Sequence, residues 1–144
     1  MLYLKSWSGF PLKGPQWLKS VLNFNYFQTY IWNFKDYPKI VPLTDYLFLA
    51  GDIGIPAHLN NHYRIFLETI APKFKKIFII AGNHEYYCSY DMSTVRKNIE
   101  NICAGFSNIT FLDNSTVDYE GYRWIGTTLW TSVDENPRKI INDM

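Results

Sequence analysis

Two stretches of the chain, Tyr46–Ala50 and Ile77–Ala81, are apolar at every position. A strand with one solvated face alternates apolar and polar residues, whereas unbroken runs of this length suit strands buried on both faces of a parallel sheet. Each run ends in glycine and then in residues able to bind metal or handle protons. Gly51-Asp52-Ile53-Gly54 follows the first run and Gly82-Asn83-His84-Glu85 the second. Between them Leu59, Tyr63, Phe66, Leu67 and Ile70 recur at helical spacing, and Pro72 stops that helix near Ala71. Strand–helix–strand crossovers are right-handed and set their strands parallel. The pattern thus predicts a parallel core, Leu47–Ala50 beside Ile77–Ala81. Ligands of open α/β sheets sit beyond the carboxyl ends of the strands, so Asp52, Asn83 and His84 should meet at one sheet end.

Further along, Asp91 or Ser93 can cap another helix, with Val95, Ile99, Ile102 and Phe106 as its buried stripe and Gly105 near its end. Ile109–Leu112 reads as a short strand, and Thr116–Tyr119 and Tyr122–Ile125 flank Glu120-Gly121 as a hairpin. Ahead of the core, Met1–Leu4 could form a short strand, followed by a Ser/Gly/Pro-rich loop. From Pro15 onward Trp17, Val21, Phe24, Phe27, Ile31 and Phe34 mark one helix face, ended by Pro38 and Pro42. The chain therefore divides into a mainly helical segment, residues 1–43, and an α/β region, residues 44–144. Asp134 to Met144 is polar and turn-rich.

Composition narrows the classes. A length of 144 residues suits one domain with its own core, and 47% hydrophobic with 18% aromatic residues argues against disorder. A net charge of +1 offers no strong field for nucleic acid or an anionic membrane. No apolar run approaches the ~20 residues that a spanning helix needs, and the N-terminus does not read as a signal peptide. Cys88 and Cys103 make no disulfide framework, so an intracellular, cytoplasmic setting is the default expectation.

Gly-Asp-Ile-Gly and Gly-Asn-His-Glu, with Asp52 and Asn83 31 positions apart and an apolar strand before each motif, resemble the calcineurin-like metallophosphoesterases. Gly126-Thr127-Thr128-Leu129-Trp130-Thr131 is similar to a strand and loop found in a subset of that family. The resemblance runs from about Thr44 onward. It implies a metal-dependent phosphoesterase with two divalent cations (Mn, Fe, Zn or Mg) ~3.5–4 Å apart. By the same resemblance Asp52 is the bridging carboxylate and Asn83 the amide ligand. His84 is the residue that stabilises or protonates the leaving group, a task suited to imidazole. Each residue also has a plainer reading. Asp52 could cap a turn, and Asn83 with His84 could form a hydrogen-bonded turn after a strand. Glu85 reads as helix entry or structure rather than catalysis, His58 and His62 as solvated or capping residues, and Cys88 has no metal-ligand partner.

The departures from the pattern are large. No Asp-x-His occurs anywhere, and Ser6 and Ser8 fall where it would stand if Met1–Leu4 were the first strand. No histidine follows His84, so the family's downstream His and Gly-His-x-His are missing. One carboxylate and one amide are few donors for a cation that wants around six. The expectation is a truncated α/β sandwich with a degenerate site, a weakly held or absent metal, and impaired catalysis in this chain alone. Missing ligands could come from a partner chain. The alternative is a non-catalytic structural or interaction component of a larger assembly. One face of the parallel pair is expected to lack its usual cover, supplied instead by residues 16–34 or by a protein partner.

Overall fold

The computed structural model describes residues 40–56, 61–87 and 90–130. The helix expected from Pro15, the strand at Met1–Leu4, His58, Leu59, Cys88 and the 134–144 tail lie outside those residues. The first apolar run forms β1, Tyr46–Ala50, and the second forms β2, Lys76–Ile80. They are parallel and in register from Tyr46↔Lys76 to Ala50↔Ile80, as the unbroken runs predict. The crossover between them is α1, His62–Ile70, which ends at Pro72 in a short 3₁₀ turn, Ala71–Lys73. Helix α2, Met92–Cys103, begins at Asp91, whose side chain accepts the Thr94 N–H. The hydroxyls of Ser93 and Thr94 join that N–H and hold the Asp91 carboxyl well below the usual range. A second crossover through α2 leads to β3, Ile109–Phe111, parallel to β2, giving the order β1-β2-β3.

One face of this sheet carries Leu47, Leu49, Ile77 and Ile79, all fully buried. Against it pack Tyr63, Phe66, Leu67 and Ile70 of α1 and Val95, Ile99 and Cys103 of α2. The stripe of α2 differs slightly from the expected one. Cys103 is buried, while Ile102 and Phe106 are partly buried at the margin of the same core. The small thiol fits where the helix end meets the sheet, and burial pushes it up to about 12, so it stays a neutral, apolar group.

The opposite face carries Phe48 and Phe78, stacked at 5.2 Å between ring centroids. It was expected to lack cover, but the hairpin of β4, Ser115–Tyr119, and β5, Tyr122–Gly126, packs on it. Trp124 lies 5.0 Å from Phe48 and 5.1 Å from Phe78, and only 1% of Phe78 is exposed. The hairpin turn has positive φ at Glu120 (50°) and Gly121 (78°), the two-residue geometry whose twist matches paired strands. Glu120 anchors the turn to the sheet by accepting from Lys75 Nζ at 2.5 Å and from the Tyr46 hydroxyl. Helices, a parallel sheet and a hairpin thus form three layers, and the carboxyl ends of β1 and β2 open on one side.

Candidate functional site

Just beyond β1 the backbone turns left-handed for two residues, with φ of 93° at Gly51 and 58° at Asp52. Glycine takes this conformation without penalty, and aspartate tolerates it better than most residues. The turn points the N–H groups of Asp52, Ile53 and Gly54 into one concavity. Successive N–H groups arranged in this way bind anions. Here the anion comes from within the chain. Glu85 Oε1 accepts from Ile53 N at 2.6 Å and Gly54 N at 3.3 Å, and Oε2 accepts from Asp52 N at 2.8 Å and Gly82 N at 2.7 Å. Glu85 is fully buried. Burial pushes its carboxyl up from 4.5 to about 7, against the opposing pull of the Ile53, Asp52 and Gly82 N–H groups. The role is structural, as the sequence suggested, but larger than helix entry. This one side chain clasps both motif loops.

The clasp brings the three expected site residues together. Asp52 Oδ1 accepts the His84 backbone N–H at 3.0 Å, so the carboxylate lies against the second loop. Gly82 permits this approach, since a Cβ there would strike the Asp52 carboxylate and come within 2.6 Å of Asp52 N. Asn83 precedes a single 3₁₀ turn, His84–Tyr86, and its Nδ2 donates to the Tyr87 hydroxyl at 3.0 Å. The His84 imidazole stacks on the Tyr87 ring at 4.1 Å between centroids. His62, the first residue of α1, follows Asn61, which is also left-handed. The loop after β5 closes over the second motif. Thr128 Oγ1 donates to the Ala81 carbonyl at 2.6 Å, and Trp130 meets Tyr86 edge-on.

In kind, the Asp52 carboxylate and the Asn83 amide oxygen suit a hard divalent cation. In number they fall short, because such a cation takes around six donors. Among the described residues, no group of three or more His, Cys, Asp or Glu side chains could hold a metal ion. One residue of the neighbourhood, Tyr87, was not singled out from sequence, whereas Thr128 lies in the 126–131 stretch that was. Tyr87 follows the motif directly, and its spacing from His84 on a 3₁₀ turn is the signal that could have found it. Side chains at i and i+3 eclipse on such a turn.

A family model described as calcineurin-like phosphoesterase matches residues 21–142, starting upstream of Thr44, where the motif resemblance begins. The chain is also 33% identical, over 121 residues, to an uncharacterized protein of Acanthamoeba polyphaga mimivirus. That similarity covers 78% of this chain and 41% of the viral protein, so the chain spans well under half the length of that relative. Among the described residues no helix is long and apolar enough to cross a membrane. The family match covers most of the chain, including both loops that Glu85 draws together; this chain belongs to the calcineurin-like phosphoesterases.

Proposed function

We propose that the chain contributes the Asp52–Asn83–His84 part of a metal-dependent phosphoric ester hydrolase site. In this reading Asp52 and Asn83 are ligands of a divalent cation such as Mn²⁺, Mg²⁺, Fe or Zn²⁺. His84 handles the proton or the charge of the leaving group. The observation that carries the reading is the contact between the loops. Asp52 accepts the His84 backbone N–H at 3.0 Å, so the carboxylate meets the loop that bears Asn83 and His84 at the carboxyl end of the parallel sheet. With so few donors in the described part, the cation is held weakly and this chain by itself is catalytically impaired. The bound cation supplies charge neutralisation at the phosphoryl oxygens.

Elemental analysis after dialysis and a phosphodiester hydrolysis assay with added Mn²⁺ test this together. The expected result is well under one retained transition metal per chain, near-background hydrolysis, and little change in His84→Ala. Two retained ions and a metal-dependent rate lost in His84→Ala would overturn the impairment. A second reading, a non-catalytic interaction component, is favoured by the apolar exposure of Ile125 (70%), Leu129 (72%) and Trp130 (55%). Sedimentation separates the two. Self-association relieved by Leu129→Ser supports the interaction role, and a monomer at micromolar concentration opposes it.

A further inference from the structure

We infer that Tyr87 is a positioning residue for Asn83 and His84, holding the amide through its hydroxyl and the imidazole through its ring. The inference rests on the functional reading above, in which Asn83 ligates a cation and His84 handles a proton. Asn83 Nδ2 donates to the Tyr87 hydroxyl at 3.0 Å. The amide is planar and has two prongs, so fixing Nδ2 also fixes where Oδ1 points. The χ2 torsion of Asn is broad and roughly two-fold, and an amide turned by half a rotation would present its NH₂ to a cation. The Tyr87 hydroxyl, which can both donate and accept, anchors one end of the amide and so fixes its plane, and with Nδ2 on Tyr87 the oxygen is the end left for a cation.

The ring acts on the other neighbour. The His84 and Tyr87 rings lie 4.1 Å apart between centroids with an interplanar angle of 26°. The Tyr87 N–H donates to the His84 carbonyl at 3.1 Å, closing the 3₁₀ turn that sets the two side chains on one side. A stacked imidazole loses the freedom to swing about χ2. Core packing does not account for a tyrosine here, because 37% of Tyr87 is exposed to solvent. One side chain therefore orients a ligand amide and a proton-handling ring at once.

Tyr87→Phe and Tyr87→Leu separate the two effects. In isotope-labelled protein, Tyr87→Phe is expected to shift the Asn83 side-chain amide signals and speed their exchange with solvent, leaving the His84 ring protons in place. Tyr87→Leu is expected to move both sets, because it removes hydroxyl and ring together. A structural role alone would not split the signals in this way. Identical Asn83 and His84 signals in all three proteins would overturn the inference, whatever happens with metal. In the second arm, Mn²⁺ alone is titrated and broadening of the Asn83 amide signals is followed. Tyr87→Phe is expected to weaken Mn²⁺ by roughly 5- to 10-fold. Equal Mn²⁺ affinity in wild type and Tyr87→Phe would also overturn the inference. Wild type without broadening at Asn83 would instead defeat the functional reading, and the metal-free signals would still decide the role of Tyr87.

Discussion

Glu85→Gln keeps the shape of the buried side chain and exchanges one acceptor oxygen for an NH₂ group. In the wild type Oε1 serves Ile53 and Gly54, at 2.6 and 3.3 Å, and Oε2 serves Asp52 and Gly82, at 2.8 and 2.7 Å. The single oxygen of Gln can serve one of these pairs, and its amide then faces the other pair donor to donor. The pair kept should be Asp52 and Gly82, because Gly54 already makes the longest bond. Ile53 and Gly54 are then left without an acceptor. Each buried N–H without a partner costs about 1–3 kcal/mol, but the neutral amide also escapes the burial cost that raises the Glu85 carboxyl to about 7, so the two largely offset and leave a net loss of roughly 1 kcal/mol near neutral pH. Urea unfolding measures this loss, with Glu100→Gln on the exposed face of α2 as a control expected within ~0.5 kcal/mol of wild type. Amide exchange should quicken at Ile53 and Gly54 before it does elsewhere in the sheet. A loss below ~0.5 kcal/mol with unchanged exchange would show that Glu85 does not hold the loops.

The Glu85 carboxyl titrates near 7 in the folded chain and at 4.5 when unfolded, so between these values the folded state keeps a proton that the unfolded state has released. Its contribution is therefore full below pH 4.5 and falls, by roughly 3 kcal/mol, as pH rises to about 7. Glu85→Gln should remove that slope in urea midpoints, and an unchanged slope would assign it to another group. Trp124→Ala uncovers Phe48 and Phe78 and should cost about 2 kcal/mol, below the range for fully buried Trp because Trp124 is only half-buried. Thermal melts would read it, and an unshifted Tm would mean that the hairpin does not cover that face. Gly82→Ala puts a methyl against the Asp52 carboxylate and backbone N and should destabilise by ~1–3 kcal/mol, with shifted Asp52 and His84 amide signals. Retention of both signals would show that the loops can part without loss.

The parallel core was legible because Leu47, Leu49, Ile77 and Ile79 belong to runs with no polar interruption, and Asp91 and Pro72 punctuate the helices clearly. Period alone shows that Phe48 and Phe78 need cover, but not which segment supplies it. Trp124 and Tyr119 sit far away in sequence, and only the fold brings their rings onto the two phenylalanines. The pairing of β3 with β2 was hidden for a similar reason. Three residues, Ile109–Phe111, carry little periodicity, and their partner is chosen by the α2 crossover. At the site, Asp52, Asn83 and His84 could be found as motif letters. The reach of Glu85 could not, because its acceptor role depends on the left-handed turn at Gly51 and Asp52, a backbone property with no side-chain pattern.

The clasp also bears on how changes in the two loops combine over generations. A Cβ on Gly51 would fall 2.5 Å from Gly82 N, and a Cβ on Gly82 would strike Asp52, so each glycine sets the limits for the other loop. Glu85, in turn, answers to N–H groups 31 to 33 residues before it. Substitutions on the two sides should therefore be strongly epistatic: a side chain tolerated in one loop depends on what the other already carries. The two short loops should thus tolerate change as one unit despite the helix between them. A graft that moved only the first would carry a ring of donors with no anion to fill it, and a graft of the second would bury a carboxylate with nothing to hold it.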